Sequence, residues 1–163
     1  MKLVLDTNVV IDWLVFDDPY LNPLRLAVQS GHAIVYTAEA AISELRRVLA
    51  YRELKLDAAR QSDVMSRYLA ATLQLTETTP QSAMAERLPT GFPRCRDPDD
   101  DPFVALAFFS RADALVSRDK AVLKLKRRCA RFGVNILDVQ ALVAAIERSV
   151  ADTPRIGPPH ASS

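Results

Sequence analysis

Four acidic residues occupy positions from which their carboxylates can converge: Asp6, Glu44, Asp101 and Asp119. Asp6 directly ends the apolar run Leu3-Val4-Leu5. Glu44 lies between Ala41 and Val48 at helical spacing, so it borders an apolar stripe instead of facing open water. Asp101 opens a nearly all-apolar segment, and Asp119 stands two residues beyond Ser117. In one pocket these like charges would repel and raise one another's pKa, a cost that a bound cation relieves. Hard oxygen ligands with neither Cys nor His beside them select Mg²⁺ or Mn²⁺. A divalent cation held this way supports phosphoryl chemistry: it activates water, orients a phosphodiester and offsets charge on the leaving oxygen. His32 borders a turn and His160 lies in the terminal tail, so neither is placed as a general base. The chain has only four glycines and no glycine-rich phosphate loop, which favours metal-dependent hydrolysis over nucleoside-triphosphate chemistry.

The elements that must position these residues can be read from hydrophobic period and punctuation. Residues 2–5 form a buried strand and 9–16 a helix. A second helix over 21–30 is stopped by Gly31. Residues 33–36 form the next strand, with Thr37 as the cap of a helix over 38–51. Asp57 caps a helix reaching about residue 72, and 73–76 form a short edge strand. Residues 79–100 are a long, proline-punctuated connection ending in Asp97, Asp99, Asp100 and Asp101. Asp101 followed by Pro102 is a helix start, an N-cap carboxylate with proline at the first helical position. A buried helix then runs to about residue 111, followed by a strand over 114–117, one helix over 120–132 and a strand over 134–137. Asp138 caps a last helix to about residue 150. This alternation predicts a three-layer α/β/α domain over residues 1–150 with a central, mostly parallel sheet, and a flexible C-terminal tail over 151–163. Right-handed crossovers place the carboxyl ends of the strands on one edge, where open α/β sheets keep their sites. Asp6 and Asp119 both follow strands onto that edge.

Composition sets the outer limits. The chain has 163 residues, 49% apolar and 25% charged, which excludes a disordered, fibrous or disulfide-stapled protein. Cys95 and Cys129 make neither a metal spacing nor a disulfide framework, so a reducing cytoplasm is expected. Asp6 breaks the N-terminal apolar run too early for a signal peptide, and no run is long enough to span a membrane. The net charge of +1 at first argues against a nucleic-acid partner. The placement of the charges argues the other way. On a helical wheel Lys120, Lys124, Arg127, Arg128 and Arg131 share one face, opposite Val122, Leu125, Cys129 and Phe132. This cationic stripe is either a solvated surface or a phosphate-backbone track beside the acidic pocket. Arg46 and Arg47, next to Glu44, extend it or meet an acidic protein segment.

Together the segments VLDTNVVIDWL, ISELRRVL, RDPDDDPFVALA and ALVSRDKAVL resemble the motifs of the PIN-domain family, in the family's order and spacing. The likeness covers roughly residues 1–145 and is nearest to the bacterial and archaeal toxins of toxin–antitoxin systems related to VapC. It implies a Mg²⁺- or Mn²⁺-dependent endoribonuclease with an RNA substrate, often a homodimer, and in toxin members one inhibited by a cognate antitoxin. It assigns the acidic quartet to Asp6, Glu44, Asp101 and Asp119, with Asn8 and Ser117 as supporting polar residues. The family commonly carries a further aspartate where this chain has Ala121, which leaves one or two metal ions open.

Each assignment has a plainer counterpart. Asp6 and Asp119 can act as helix caps, Glu44 as a solvated helix residue, and Asp101 as a cap that also serves the site. Asp97, Asp99 and Asp100 read as loop and capping residues, with Asp100 the substitute should the register shift by one. Asp12 reads as a surface residue and both cysteines as inert. An aspartyl-phosphate phosphatase is disfavoured by Asn8, and a receiver domain by Asp138 where a lysine is required. A PIN-fold binding module with weakened catalysis, acting through a protein or RNA partner, is the alternative that Ala121 keeps open.

Overall fold

The computed structural model describes residues 1–75, 86–95 and 101–151. Strand β1 (Lys2–Leu5) leads into α1 (Thr7–Leu14), a short 3₁₀ turn (Pro19–Leu21) and α2 (Asn22–Gln29). Strand β2 (Ile34–Thr37) is followed by α3 (Glu39–Leu49), a second 3₁₀ turn (Arg52–Leu54), α4 (Ala58–Ala71) and β3 (Thr72–Gln74). After the long connection come α5 (Asp101–Phe109), β4 (Ala114–Val116), α6 (Lys120–Leu123), α7 (Lys126–Ala130), β5 (Ile136–Leu137) and α8 (Val139–Ala151). The strands form one sheet in the order β3-β2-β1-β4-β5, and every pairing is parallel.

Strand β1 is central, and its alternation divides the core. Leu3 and Leu5 point into a layer with Trp13, Leu24, Leu45, Tyr68 and Leu142. Val4 points into the opposite layer, with Phe103, Leu106, Val122 and Cys129. Strands buried on both faces read as continuous apolar runs, which is why β1 and β4 show no polar alternation. Helix α5 is apolar all round and buries Phe103 through Ala107, as a helix enclosed by its neighbours must. Among the described residues no helix is long and apolar enough to cross a membrane.

The three-layer α/β/α expectation holds, and the sheet is parallel throughout. Three local expectations change. Residues 120–132 form two short helices rather than one. The Leu125 N–H bonds back to the Val122 carbonyl three residues earlier, at 2.9 Å, instead of to a carbonyl four back. This tightened turn keeps Val122 and Leu125 together, both buried. Thr37 does not cap α3. It is fully buried at the end of β2, and its Oγ1 hydrogen-bonds the Tyr68 hydroxyl at 2.8 Å. Asp101 is the first residue inside α5 rather than the residue before it, which moves Pro102 to the second helical position. Asp57 and Asp138 cap as expected, accepting from the N–H groups of Arg60 and Ala141 at 2.8 and 2.7 Å. Asp97, Asp99, Asp100, His160 and most of the proposed tail lie outside the described residues.

Candidate active site at the carboxyl edge of the sheet

Because all five strands are parallel, their carboxyl ends share one edge, and the loops leaving β1 and β4 are neighbours there. The Asp6 N–H donates to the Val116 carbonyl at 2.9 Å, which fixes the start of α1 against the end of β4. This backbone bond places Asp6 beside Ser117, 111 positions away in sequence.

The Asp6 carboxylate is buried, with 5% of the residue exposed. Its Oδ2 accepts from Ser117 Oγ at 2.5 Å and from Asn8 Nδ2 at 3.0 Å, and the Thr7 N–H adds a further donor. Ser117, fully buried, also accepts from the Asp119 N–H at 2.9 Å, so one hydroxyl ties both aspartates together. Asn8 Oδ1 accepts from the Arg118 N–H at 3.2 Å and pins the same loop from the other side. Asp119 is the N-cap of α6, with Oδ1 accepting from the Ala121 N–H at 2.5 Å. The capping role and the site position therefore coexist in Asp119. Asp6 holds the N-cap position of α1 but makes no side-chain capping bond, so its carboxylate is spent on the site and not on the helix.

Burial pushes the Asp6 carboxyl above its ordinary value; Ser117, Asn8 and the Thr7 N–H oppose that rise, and the nearby charge of Asp119 adds to it. Among the described residues no cationic side chain acts on it. A buried carboxylate supported by neutral donors and faced by a second carboxylate lacks a compensating positive charge. Hard oxygen donors of this kind suit Mg²⁺ or Mn²⁺.

Asp101 and Glu44 approach the same edge on helices. Helix α5 packs on β1 and β4 and runs back toward β4, so its first residue lies at the carboxyl edge. Here the protein supplies its own charge balance. Asp101 Oδ1 accepts from the Cys95 N–H at 2.8 Å, and Oδ2 pairs with Arg94 at 3.4 Å. Glu44 is half-buried on α3; burial raises the pKa of the Tyr68 phenol, the hydrogen bond with Thr37 at the end of β2 opposes the rise, and the Glu44 charge adds to it. Among the described residues no three acidic, His or Cys side chains converge closely enough to hold a metal ion. The structure thus joins Asp6, Asn8, Ser117 and Asp119 into one hydrogen-bonded unit and leaves Asp101 and Glu44 at its margin.

Two features are not visible in the sequence. Arg118 pairs with Asp12 through Nε and with Asp18 through Nη2 at 3.1 Å, stapling the loop after β4 to α1. Arg94 neutralises Asp101 from within the proline-rich connection. Neither carries a periodic or motif signal, because each partnership is made by chain crossings. The cationic residues predicted for a backbone track, Lys120, Lys124, Arg127, Arg128 and Arg131, are all exposed, as are Lys126, Arg46 and Arg47. Val122, Leu125 and Cys129 are buried beneath them.

A parallel α/β/α sheet with a buried aspartate and a second carboxylate at its carboxyl edge is the framework of a PIN-type nuclease fold. The chain belongs to the PIN domain family, whose model matches residues 2–121. Its fold is also similar to a chain in the crystal structure of VapBC2 from Rickettsia felis bound to a DNA fragment from their promoter. The TM-score is 0.60 at 15% identity, covering 85% of this chain and 98% of that one. No protein of curated function matches the sequence.

Proposed function

We propose that this protein is a divalent-metal-dependent endoribonuclease and the toxin of a toxin–antitoxin pair. The observation that carries the reading is the Asp6–Ser117–Asp119 unit in a PIN-family chain, where the buried Asp6 carboxylate has no cationic partner among the described residues. Asp6 and Asp119 would hold Mg²⁺ or Mn²⁺, with Asp101 and Glu44 completing the acidic set. When bound, the cation supplies water activation and stabilises charge developing on a phosphodiester. Ser117 and Asn8 orient the Asp6 carboxylate, and Ser117 fixes the Asp119 backbone in the same gesture. Lys120, Lys124, Arg127, Arg128 and Arg131 would carry the RNA backbone away from the pocket, with Arg46 and Arg47 on its other side. A cognate antitoxin and a homodimer belong to this reading, supported by the fold's likeness to a VapBC2 chain. Cytoplasmic location fits the unbridged cysteines.

The test is calorimetric titration of Mn²⁺ into the wild type and into Asp6→Asn, alongside cleavage of single-stranded RNA. Saturable binding and cleavage by the wild type, both lost in the variant, are expected. Equal binding by the two proteins would overturn the site assignment. Unimpaired Mn²⁺ binding without cleavage would favour a PIN-fold binding module, the reading that Ala121 supports.

A further inference from the structure

The amino edge of the sheet carries a concavity remote from the carboxylates. A cleft of about 570 Å³ opens there between the turns that lead into β4 and β5. Phe108, Phe109 and Phe132, all half-buried, line it together with Arg111, Asp113 and Asn135. The rings belong to one aromatic cluster. Phe92 lies 5.3 Å from Phe108 and 4.8 Å from Phe132 between centroids, and Phe109 meets Phe108 edge-on at 5.2 Å. The Arg87 guanidinium sits 5.6 Å from the Phe109 centroid. Arg111 stands on a left-handed backbone with φ of 50°, a strained conformation for a residue with a Cβ.

Aromatic faces beside guanidinium groups form a stacking platform for a flat, electron-rich ring. Asn135 Nδ2 donates to the Asp113 carbonyl and Asp113 Oδ2 accepts from the Lys2 N–H, so Asn135 Oδ1 and Asp113 Oδ1 are the atoms offered to the edge of a base, and the carboxylate repels a phosphate. A base docked here would have its phosphates on the cationic side, and the structure provides that side. Helices α6 and α7 pack on β5 and descend from Lys120, next to Asp119, to Arg131, next to Phe132. Lys124, Lys126, Arg127 and Arg128 are exposed between those ends. The stripe therefore connects the two edges, on either side of β4.

We propose that the cleft is a base-binding subsite for single-stranded RNA. The strand runs from the carboxylate edge down the α6–α7 stripe, and an unpaired base stacks against the phenylalanines at the amino edge. The inference rests on the endoribonuclease reading and adds to it a requirement for unpaired bases away from the scissile bond. Duplex RNA, whose bases are already stacked, would gain only the stripe.

The experiment is fluorescence anisotropy in EDTA, so that binding is read without cleavage, using two labelled single-stranded RNAs. One is long enough to span both edges and the other too short to leave the carboxylate edge. The variants are Arg111→Gly, which removes the cation and relaxes the positive φ, and Phe109→Leu, which keeps an apolar side chain but no stacking face. Each is expected to weaken the long RNA about tenfold, in line with the loss of a base-stacking contact, and to leave the short RNA unchanged. Equal affinity of all three proteins for the long RNA, or no binding by the wild type, overturns the subsite. Displacement of the long RNA by equimolar AMP overturns it in favour of a free-nucleotide site. Pocket-dependent binding by a wild type that cleaves nothing in Mn²⁺ would retain the subsite and reject the nuclease. Cleavage with variant-independent binding would do the reverse.

Discussion

Asp6 and Asp101 reach the same edge of the sheet, and the protein treats their charges in opposite ways. Asp6 is enclosed by neutral donors and a second carboxylate. Asp101 has a guanidinium on one oxygen and a backbone N–H on the other. The motif presents the two as equivalent ligands. In the fold, Asp101 is paired within the chain, whereas Asp6 has no cationic partner among the described residues. A set of acidic residues is thus not a site by count alone; what matters is which charges the protein leaves uncompensated.

The sharpest way to break this contrast is Asp6→Asn, measured for activity and stability together. Cleavage is expected to fall by more than the roughly hundredfold that supporting residues command. Stability in EDTA at pH 7 is expected to move the other way. Burial raises the folded pKa of Asp6 above its unfolded value, so the fold favours the protonated carboxyl. Its contribution to stability is full below the unfolded pKa and is lost as pH rises through the folded one. At pH 7, above the unfolded carboxyl value, that contribution is diminished in the wild type, and asparagine, which does not titrate, removes the dependence. The variant should melt higher than the wild type at pH 7, with the gap closing on acidification; a lower melting temperature at pH 7 would contradict the contrast.

Ser117→Ala tests whether the two aspartates act as one unit. The hydroxyl serves Asp6 and the Asp119 N–H from a fully buried position. Its loss should cost about tenfold to a hundredfold in cleavage and about 1–3 kcal/mol in urea unfolding, from polar groups left unpaired. A purely structural role would lower stability without changing the Mn²⁺ dependence of the rate.

Arg94→Gln is the mildest change and addresses the other half of the comparison. The guanidinium is about half-exposed, so the pair should contribute under about 1 kcal/mol to stability. Mn²⁺ affinity should instead tighten a few-fold, since the cation no longer competes with arginine for Asp101. Unchanged affinity in calorimetry would leave Asp101 outside the metal set.

The helix and strand order, the fold class and the positions of Asp6 and Asp119 were legible because each rests on local rules. Apolar runs of fixed period, a proline after an acidic residue and an aspartate ending a strand all operate within a few residues. Thr37 and residues 120–132 departed from those rules. The Tyr68 hydroxyl claims the Thr37 side chain from a distant helix, and a three-residue bond from the Leu125 N–H to the Val122 carbonyl interrupts the helix over 120–132.

By itself the sequence determined that the chain would form a layered parallel sheet with carboxylates after its strands, since periodicity and punctuation encode elements and their ends. Only the tertiary structure decided which carboxylates meet and which are already paired. The bond from Ser117 to Asp6 spans 111 residues and depends on β1 lying beside β4, while Arg94 reaches Asp101 from an irregular connection. Desolvation and charge balance are set by which side chains the folded layers bring together, and no local pattern records that.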